Sequence, residues 1–107
     1  MPRVVEARTL TEISNLIFNN QFVVMDFAAE SWCGPCQRFK PHFDAASDEL
    51  ENFVFVHVDI DEVDPIVTKA FGIQSVPTVM LFDTKLVSQR KRIESRTAFA
   101  LIRELTS

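Results

Sequence analysis

The chain has 107 residues, of which 47% are apolar, ten are phenylalanine and only two are cysteine, and its formal net charge is −4. This length indicates one domain whose core is large enough to fold without disulfide staples or a structural metal. The mild charge gives no general attraction to nucleic acid, and no apolar run approaches the ~18–20 residues of a membrane-spanning helix. The charged amino terminus lacks the apolar region of a signal peptide, so we expect a cytoplasmic protein, and a monomer.

Two alternating periodicities predict nine elements of secondary structure. Nearly continuous apolar stretches, FVVMDF at 22–27 and FVFVHVDI at 53–60, are typical of strands buried on both faces. Segments such as TEISNLIFNN at 11–20 place apolar residues on one helical face, with Thr9 or Thr11 as the cap. In chain order the predictions are a strand at 3–7, a helix at 11–20, a strand at 22–27, a helix from the cysteines to about 51, a strand at 53–60, a helix at 64–72, strands at 77–82 and 86–93, and a helix at 96–105.

This alternation predicts an α/β fold. Strands separated by helices need parallel crossover connections, whereas the two consecutive strands between 77 and 93 form an antiparallel hairpin. We therefore expect one domain over residues 1–107, with a mixed central sheet of about five strands flanked by four helices.

The charged residues are distributed unevenly. They fall into an acidic group and a basic group. In one interpretation both groups are solvated surfaces, with the basic group protecting a sheet edge from pairing. In the alternative interpretation the basic group is a docking surface for an acidic partner. The acidic group consists of Asp59, Asp61, Glu62 and Asp64. The basic group consists of Lys85, Arg90, Lys91, Arg92 and Arg96.

The stretch SWCGPCQRF at 31–39 contains both cysteines. Cys33 lies where a strand ends and a helix begins, so unpaired N–H groups and the positive end of the helix dipole stabilise its thiolate. We expect Gly34 to allow a tight turn and Pro35 to occupy the first helical turn. Cys36 then lies one turn into the helix, close to Cys33 and more deeply buried.

Three roles for this cysteine pair compete. A structural staple would close a very small loop and would be reduced in the cytosol. A zinc site needs four ligands, and the available donors, Cys33, Cys36, His42 and His57, do not look convergent. A redox pair fits best: Cys33 attacks a substrate disulfide and Cys36 resolves the mixed disulfide.

WCGPC together with SVPT at 75–78, in this order of elements, resembles the thioredoxin family over essentially the full length. The resemblance implies the thioredoxin fold and a general protein-disulfide reductase that carries electrons between thiols. It implies protein disulfides as substrates and a partner, thioredoxin reductase, that supplies electrons from NADPH through a flavin. No bound cofactor is expected in this chain, only the redox-active disulfide.

The resemblance also assigns roles to residues around the cysteines. Pro77 is expected to be cis, which leaves the backbone groups of Val76 to pair with an extended substrate. Trp32 is expected to be an exposed aromatic residue beside the disulfide, and Gly34 and Pro35 to contact the substrate with it.

Asp26 matches the aspartate that lies beneath the cysteines in thioredoxins. A carboxylate within VVMDF is costly to bury in its ionised form, so we expect a raised pKa. The resemblance makes Asp26 the proton acceptor for Cys36. One extra residue separates Asp26 from Cys33, and we expect AAES at 28–31 to absorb it as a bulge or loop.

His57 stands where bacterial thioredoxins often have a lysine that faces the aspartate. His57 is either a hydrogen-bonded core histidine or a partner of Asp26 that titrates near neutral pH and makes thiol activation sensitive to pH.

Two further departures from the family concern glycine. The final hairpin lacks a glycine, and we expect Asp83 to support its turn. Glu94 or Ser95 replaces the glycine beside the substrate groove, which together with the neighbouring arginines suggests a narrower or charge-selective range of substrates.

Other functions remain as alternatives. The same chemistry run in reverse would make the protein an oxidase or isomerase. A binding module docked through KLVSQRKRIESR at 85–96 would use the redox site only secondarily. A glutathione-dependent activity is disfavoured, because the cysteine motif does not resemble that of glutaredoxins.

Overall fold

The computed structural model describes residues 3–85 and 90–107. Within these ranges it contains five strands and four helices, which confirms the predicted α/β fold. The strands are β1 (Val4–Glu6), β2 (Phe22–Ala28), β3 (Phe53–Asp59), β4 (Thr78–Asp83) and β5 (Arg90–Ile93). The helices are α1 (Leu10–Asn19), α2 (Gly34–Glu49), α3 (Pro65–Phe71) and α4 (Ala98–Thr106).

The predicted bounds agree with these elements to within a few residues. The last strand, predicted at 86–93, is observed as Arg90–Ile93, and residues 86–89 lie outside the described ranges. Asp83 supports the start of the hairpin as predicted, since its Oδ1 accepts the N–H of Lys85 at 3.1 Å.

The strands form one mixed sheet in the order β1-β3-β2-β4-β5. β1, β3 and β2 are parallel, whereas β4 is antiparallel to both β2 and β5. The parallel crossovers and the closing hairpin were both predicted. The sheet places the carboxyl end of β2, just before the cysteines, beside the amino end of β4, just after Pro77.

The helices begin and end where the sequence provides caps. Thr9 forms a capping box with Glu12 at the start of α1. Asp64 caps α3, Pro65 is its first residue, and Gly72 ends it with a φ of 65°. None of the helices in the described ranges is long and apolar enough to cross a membrane.

Successive side chains of a strand point to opposite faces, so the sheet separates two apolar clusters. One cluster packs under α1 and α3, and the other packs under α2 and α4. Buried residues of the first cluster include Ile13, Val23, Met25, Phe27, Val56 and Val67. Those of the second include Val24, Phe39, Phe43, Phe55 and Leu101.

Candidate active site

Cys33 and Cys36 form a disulfide at the start of α2, with their Cα atoms 5.2 Å apart. Cys33 is the N-cap of the helix, and its Sγ accepts the N–H of Cys36 at 3.2 Å. Cys33 is 5% exposed and Cys36 is fully buried. The predicted arrangement of an outer and an inner sulfur at a helix amino terminus is therefore present.

The two residues between the cysteines both lie in the first turn of α2. Pro35 occupies the position predicted for it, where a missing N–H costs nothing. The tight turn predicted for Gly34 is wrong, because Gly34 is already helical and, in the described residues, only Gly72 is a glycine with positive φ. A Cβ at Gly34 would lie 3.2 Å from Nη1 of Arg38, so the arginine covers this backbone.

The extra residue between Asp26 and Cys33 is absorbed by a turn, as predicted. The carbonyl oxygen of Ala29 accepts the N–H groups of Trp32 at 3.4 Å and of Cys33 at 2.9 Å. The side chain of Gln37 donates to the carbonyl oxygen of Glu30 at 2.6 Å and ties the turn to α2.

Pro77 and Trp32 lie beside the disulfide. The Val76–Pro77 peptide bond is cis, as the resemblance implied. Sγ of Cys33 lies 3.8 Å from the carbonyl oxygen of Val76. Trp32 is 63% exposed, and its Nε1–H donates to Oδ2 of Asp61 at 2.8 Å. Trp32 is thus a surface residue rather than part of the core.

Asp26 has no exposed surface. It lies on β2 on the same face as Val24 and Ala28, that is, towards α2, and Ala28 belongs to the cluster that contains both cysteines. Neither carboxylate oxygen has a hydrogen-bond partner among the described residues. Burial raises the pKa of Asp26 from its ordinary value of 3.8 to about 7, against a smaller opposing effect of His57.

His57 is the register neighbour of Asp26 on β3. Of its two expected roles the structure shows the hydrogen-bonded core histidine, and no hydrogen bond joins it to Asp26 in the described part of the chain. Its Nδ1 lies 2.9 Å from Oε2 of Glu6, and its Nε2 lies 3.0 Å from Oε1 of Glu30. Both ring nitrogens are therefore occupied by glutamates. Burial opposes the charged form of His57, but the hydrogen bonds to Glu6 and Glu30 and the nearby carboxylates outweigh it and raise its pKa.

Sequence analysis did not identify Glu6 and Glu30 as part of the site. They are 51 and 27 residues from His57 in the chain, and no local pattern marks them. Glu6 reaches the site because β1 pairs with β3, in the register that places Glu6 beside His57. Glu30 reaches it from the turn that accommodates the extra residue.

The four zinc ligands considered from the sequence do not converge. Nδ1 of His42 accepts the N–H of Ala98 at 3.0 Å, and the two cysteines are bonded to each other. Within residues 3–85 and 90–107, one group of metal-ligand types comes together: Asp26, Glu30 and His57, with one atom of each within 4.8 Å of the others. Because His57 already contacts two glutamates, we interpret this group as a network of interacting polar side chains.

Two clefts flank the disulfide. The first, which we name the arginine cleft, has a volume of about 290 Å³. The second, the tryptophan cleft, has a volume of about 420 Å³. The arginine cleft is lined by Pro35, Arg38, Phe39, His42, Pro77 and Arg96. The tryptophan cleft is lined by Trp32, Ile60, Thr68, Ile73, Gln74, Ser75 and Val76.

The segment after β5 enters the arginine cleft through a different residue from those expected. Glu94 is exposed and pairs with Arg92 at 3.1 Å, and Ser95 donates to Glu104 at 2.6 Å. It is Arg96 that lines the cleft beside Pro77. Sequence analysis placed Arg96 within a basic surface and among the arginines near the substrate groove, but assigned it no contact of its own.

The site consists of two cysteines joined by a disulfide at a helix amino terminus, one slightly accessible and one buried, with a buried acid on the strand that leads to them. Thiolates at such positions are activated nucleophiles. Fold and site together define the class of a thiol–disulfide oxidoreductase.

Comparisons with known proteins agree with this class. The family model described as Thioredoxin matches residues 4–107. Thioredoxin-3 of Dictyostelium discoideum is 44% identical over 77% of this chain and 76% of its own length. Thioredoxin of Mycoplasma pneumoniae is 39% identical over 75% of this chain and 76% of its own. The solved structure of oxidised mitochondrial thioredoxin 3 of Saccharomyces cerevisiae superposes with a TM-score of 0.81 at 31% identity, covering 96% of this chain and 93% of that one. The chain belongs to the thioredoxin family.

Proposed function

We propose that this protein is a general protein-disulfide reductase in which Cys33 attacks and Cys36 resolves. The observation that carries the proposal is the position of Cys33. Its Sγ accepts a helix N–H and keeps some exposure, whereas Cys36 has none. Only the outer sulfur can meet a substrate disulfide directly.

In the first step the thiolate of Cys33 attacks one sulfur of the substrate disulfide. The substrate S–S bond breaks, an S–S bond forms between Cys33 and the substrate, and the second substrate sulfur leaves as a thiolate that takes up a proton. The N–H of Cys36 and the positive end of α2 lower the cost of negative charge on Sγ of Cys33.

In the second step the thiol of Cys36 loses its proton and its sulfur attacks Cys33. The mixed disulfide breaks, the second substrate thiol is released, and the Cys33–Cys36 disulfide forms. Two electrons have then passed to the substrate. Asp26 is the proposed proton acceptor, because a carboxylate with a pKa of about 7 is matched to accepting a proton near neutral pH.

The residues around the disulfide position the substrate. The backbone of Val76 lies 3.8 Å from Sγ of Cys33, so a substrate strand that pairs with Val76 would hold its own cysteine next to Cys33. Pro77, Pro35, Gly34 and the exposed face of Trp32 would form the remainder of this surface.

The oxidised protein must be reduced again by two electrons. By family membership the electron donor is a thioredoxin reductase that uses NADPH and binds at the same surface. A monomer in the cytoplasm, without nucleic-acid or membrane partners, is the setting we propose.

Turnover of insulin disulfides with a chemical reductant tests this function, and NADPH with thioredoxin reductase tests the electron source. The wild-type protein should accelerate insulin reduction. Each of the replacements Cys33→Ser and Cys36→Ser should abolish this catalytic turnover. Ser31→Ala, an exposed change in the preceding turn, is the control. Turnover by Cys33→Ser equal to that of the wild type would refute the assignment.

A further inference from the structure

The arginine cleft adjoins the disulfide and is distinct from the cleft that Trp32 lines. Its wall includes Pro35, which lies between the two cysteines, and Pro77, which follows the backbone that contacts Sγ of Cys33. A substrate chain that crosses the disulfide would therefore place a neighbouring side chain at this cleft. A volume of about 290 Å³ is smaller than most small-molecule pockets, which span roughly 300–1,000 Å³, and suits one or two side chains.

The guanidinium of Arg96 is fixed at the wall of this cleft. Nη1 donates to the carbonyl oxygens of Ile93 at 2.8 Å and Ser95 at 3.0 Å, and Nη2 donates to that of Pro77 at 3.5 Å. The guanidinium carbon lies 5.3 Å from the centre of the Phe39 ring. These contacts restrict the side chain before any substrate binds, which lowers the entropic cost of using it for recognition.

The charge of Arg96 is not neutralised by these contacts. Its hydrogen-bond acceptors are carbonyl oxygens, and no carboxylate of the described residues forms an ion pair with it. The two nearest glutamates along the chain are engaged elsewhere, Glu94 with Arg92 and Glu104 with Ser95. Arg96 has five N–H groups, so at least one donor remains for a ligand.

Two further donors face the same cleft. Arg38 lies across the backbone of Gly34, at the start of α2. His42 uses Nδ1 to accept the N–H of Ala98, so Nε2 carries the hydrogen in the neutral ring and can donate. Two guanidinium groups and an imidazole N–H thus line the cleft, and no acidic residue of the described ranges contributes to it.

The tryptophan cleft differs in charge. None of the described residues that line it is charged, and the Nε1–H of Trp32 donates to the carboxylate of Asp61. The two sides of the disulfide therefore differ in electrostatic character, and a substrate that carries charge would be bound in one direction across it.

We propose that the arginine cleft is a subsite for an acidic side chain of the substrate protein, an aspartate or glutamate located within about three residues of the cysteine under attack. Two guanidinium groups recognise a carboxylate through charge-assisted hydrogen bonds. This proposal rests on the proposed reductase function and specifies which protein disulfides the site prefers.

The test uses short peptides that contain one intramolecular disulfide and differ at a single position. Glu, Gln or Lys is placed at each of the three positions on either side of one cysteine, and kcat/KM for reduction is measured at low and at high salt. At one of these positions we expect Glu to be favoured over Gln by about tenfold, with Lys poorest. High salt should reduce this preference.

Variants of the protein then show which residues cause the preference. For each variant we compare kcat/KM for the Glu peptide with kcat/KM for the Gln peptide. Arg96→Gln should bring the ratio of these two values close to one. Arg38→Gln changes an exposed side chain that forms no backbone hydrogen bond within the described residues, and it should lower the ratio. Lys91→Gln removes an equal charge from the exposed strand β5 and should leave the ratio unchanged.

Equal rates for the three peptides at every position would overturn the subsite. A preference for Glu that persists in both Arg96→Gln and Arg38→Gln would also overturn the subsite. So would a preference that Lys91→Gln removes as completely as Arg96→Gln does. If the wild-type protein reduces none of the peptides, whichever residue they carry, the proposed function itself fails, which is a separate and earlier result.

Discussion

The carboxylate of Asp26 is fully buried, and within the described part of the chain no group donates a hydrogen bond to it. We consider the replacement Asp26→Asn, which keeps the size of the side chain and removes its ionisation. The change should alter how the stability of the protein depends on pH, because the pKa of Asp26 is raised from 3.8 to about 7 in the folded state.

The magnitude follows from the two pKa values. Below pH 3.8 Asp26 is protonated in both the folded and the unfolded states. As the pH rises from 3.8 towards 7, the unfolded chain loses the proton while the folded protein keeps it, so stability falls. At about 1.4 kcal/mol per pKa unit, the loss amounts to about 4 kcal/mol and is complete above about pH 7.

Urea denaturation of the oxidised wild-type and Asp26→Asn proteins from pH 4 to pH 9 measures this effect. Subtracting the free energy of unfolding of the wild type from that of the variant cancels the contributions of groups that both proteins share. The buried, unpaired amide of the variant contributes a term that does not change with pH. We expect the variant to gain about 4 kcal/mol on the wild type between pH 4 and pH 8. The exposed replacement Glu51→Gln should show no such trend. If the difference in the free energy of unfolding between Asp26→Asn and the wild type does not change from pH 4 to pH 8, burial does not raise the pKa of Asp26 and the account is refuted.

Three further changes test other parts of the structure by the same method. Glu6→Gln should lower the pKa of His57. The stability that this raised pKa provides is present below pH 6.5 and is lost as the pH rises through the pKa of His57 in the folded state. The Glu6→Gln variant should therefore lose more stability at pH 6 than at pH 9. An equal loss at both pH values would contradict the contact between Glu6 and His57. Thr9→Ala removes the capping box and should cost about 1 kcal/mol; no loss would mean the helix start does not depend on it. Phe43→Ala should cost about 3–5 kcal/mol, whereas Phe18→Ala, at an 83% exposed site, should change stability by less than about 0.5 kcal/mol; similar losses would contradict the assigned core.

The sequence predicted the strands and helices well because their signals are local. FVVMDF at 22–27 is apolar at five of its six positions, as a strand buried on both faces must be. Proline and glycine at the ends of α3 marked its limits directly. The order of the elements then determined the parallel and antiparallel connections, because short loops cannot join parallel neighbours.

The parts of the site that belong to short sequence motifs could be predicted. WCGPC and SVPT identified the cysteines and the cis proline, whereas the environment of His57 depends on contacts far apart in the chain. Glu6 arrives through strand register and Glu30 through an inserted turn, and neither leaves a periodic or compositional signal. The position of Arg96 was missed for the same reason, since its three carbonyl acceptors and the ring beneath it are assembled only by the fold.

The central claim is that the sulfur of Cys33, and not that of Cys36, makes the first bond to a substrate. Each cysteine is replaced by serine in turn, and the single remaining thiol is allowed to react with a peptide disulfide at pH 7, with the rate and the site of the mixed disulfide determined by mass spectrometry. We predict that Cys36→Ser forms the adduct on Cys33 at least about tenfold faster than Cys33→Ser forms one on Cys36. Equal rates, or faster reaction at Cys36, would contradict the account.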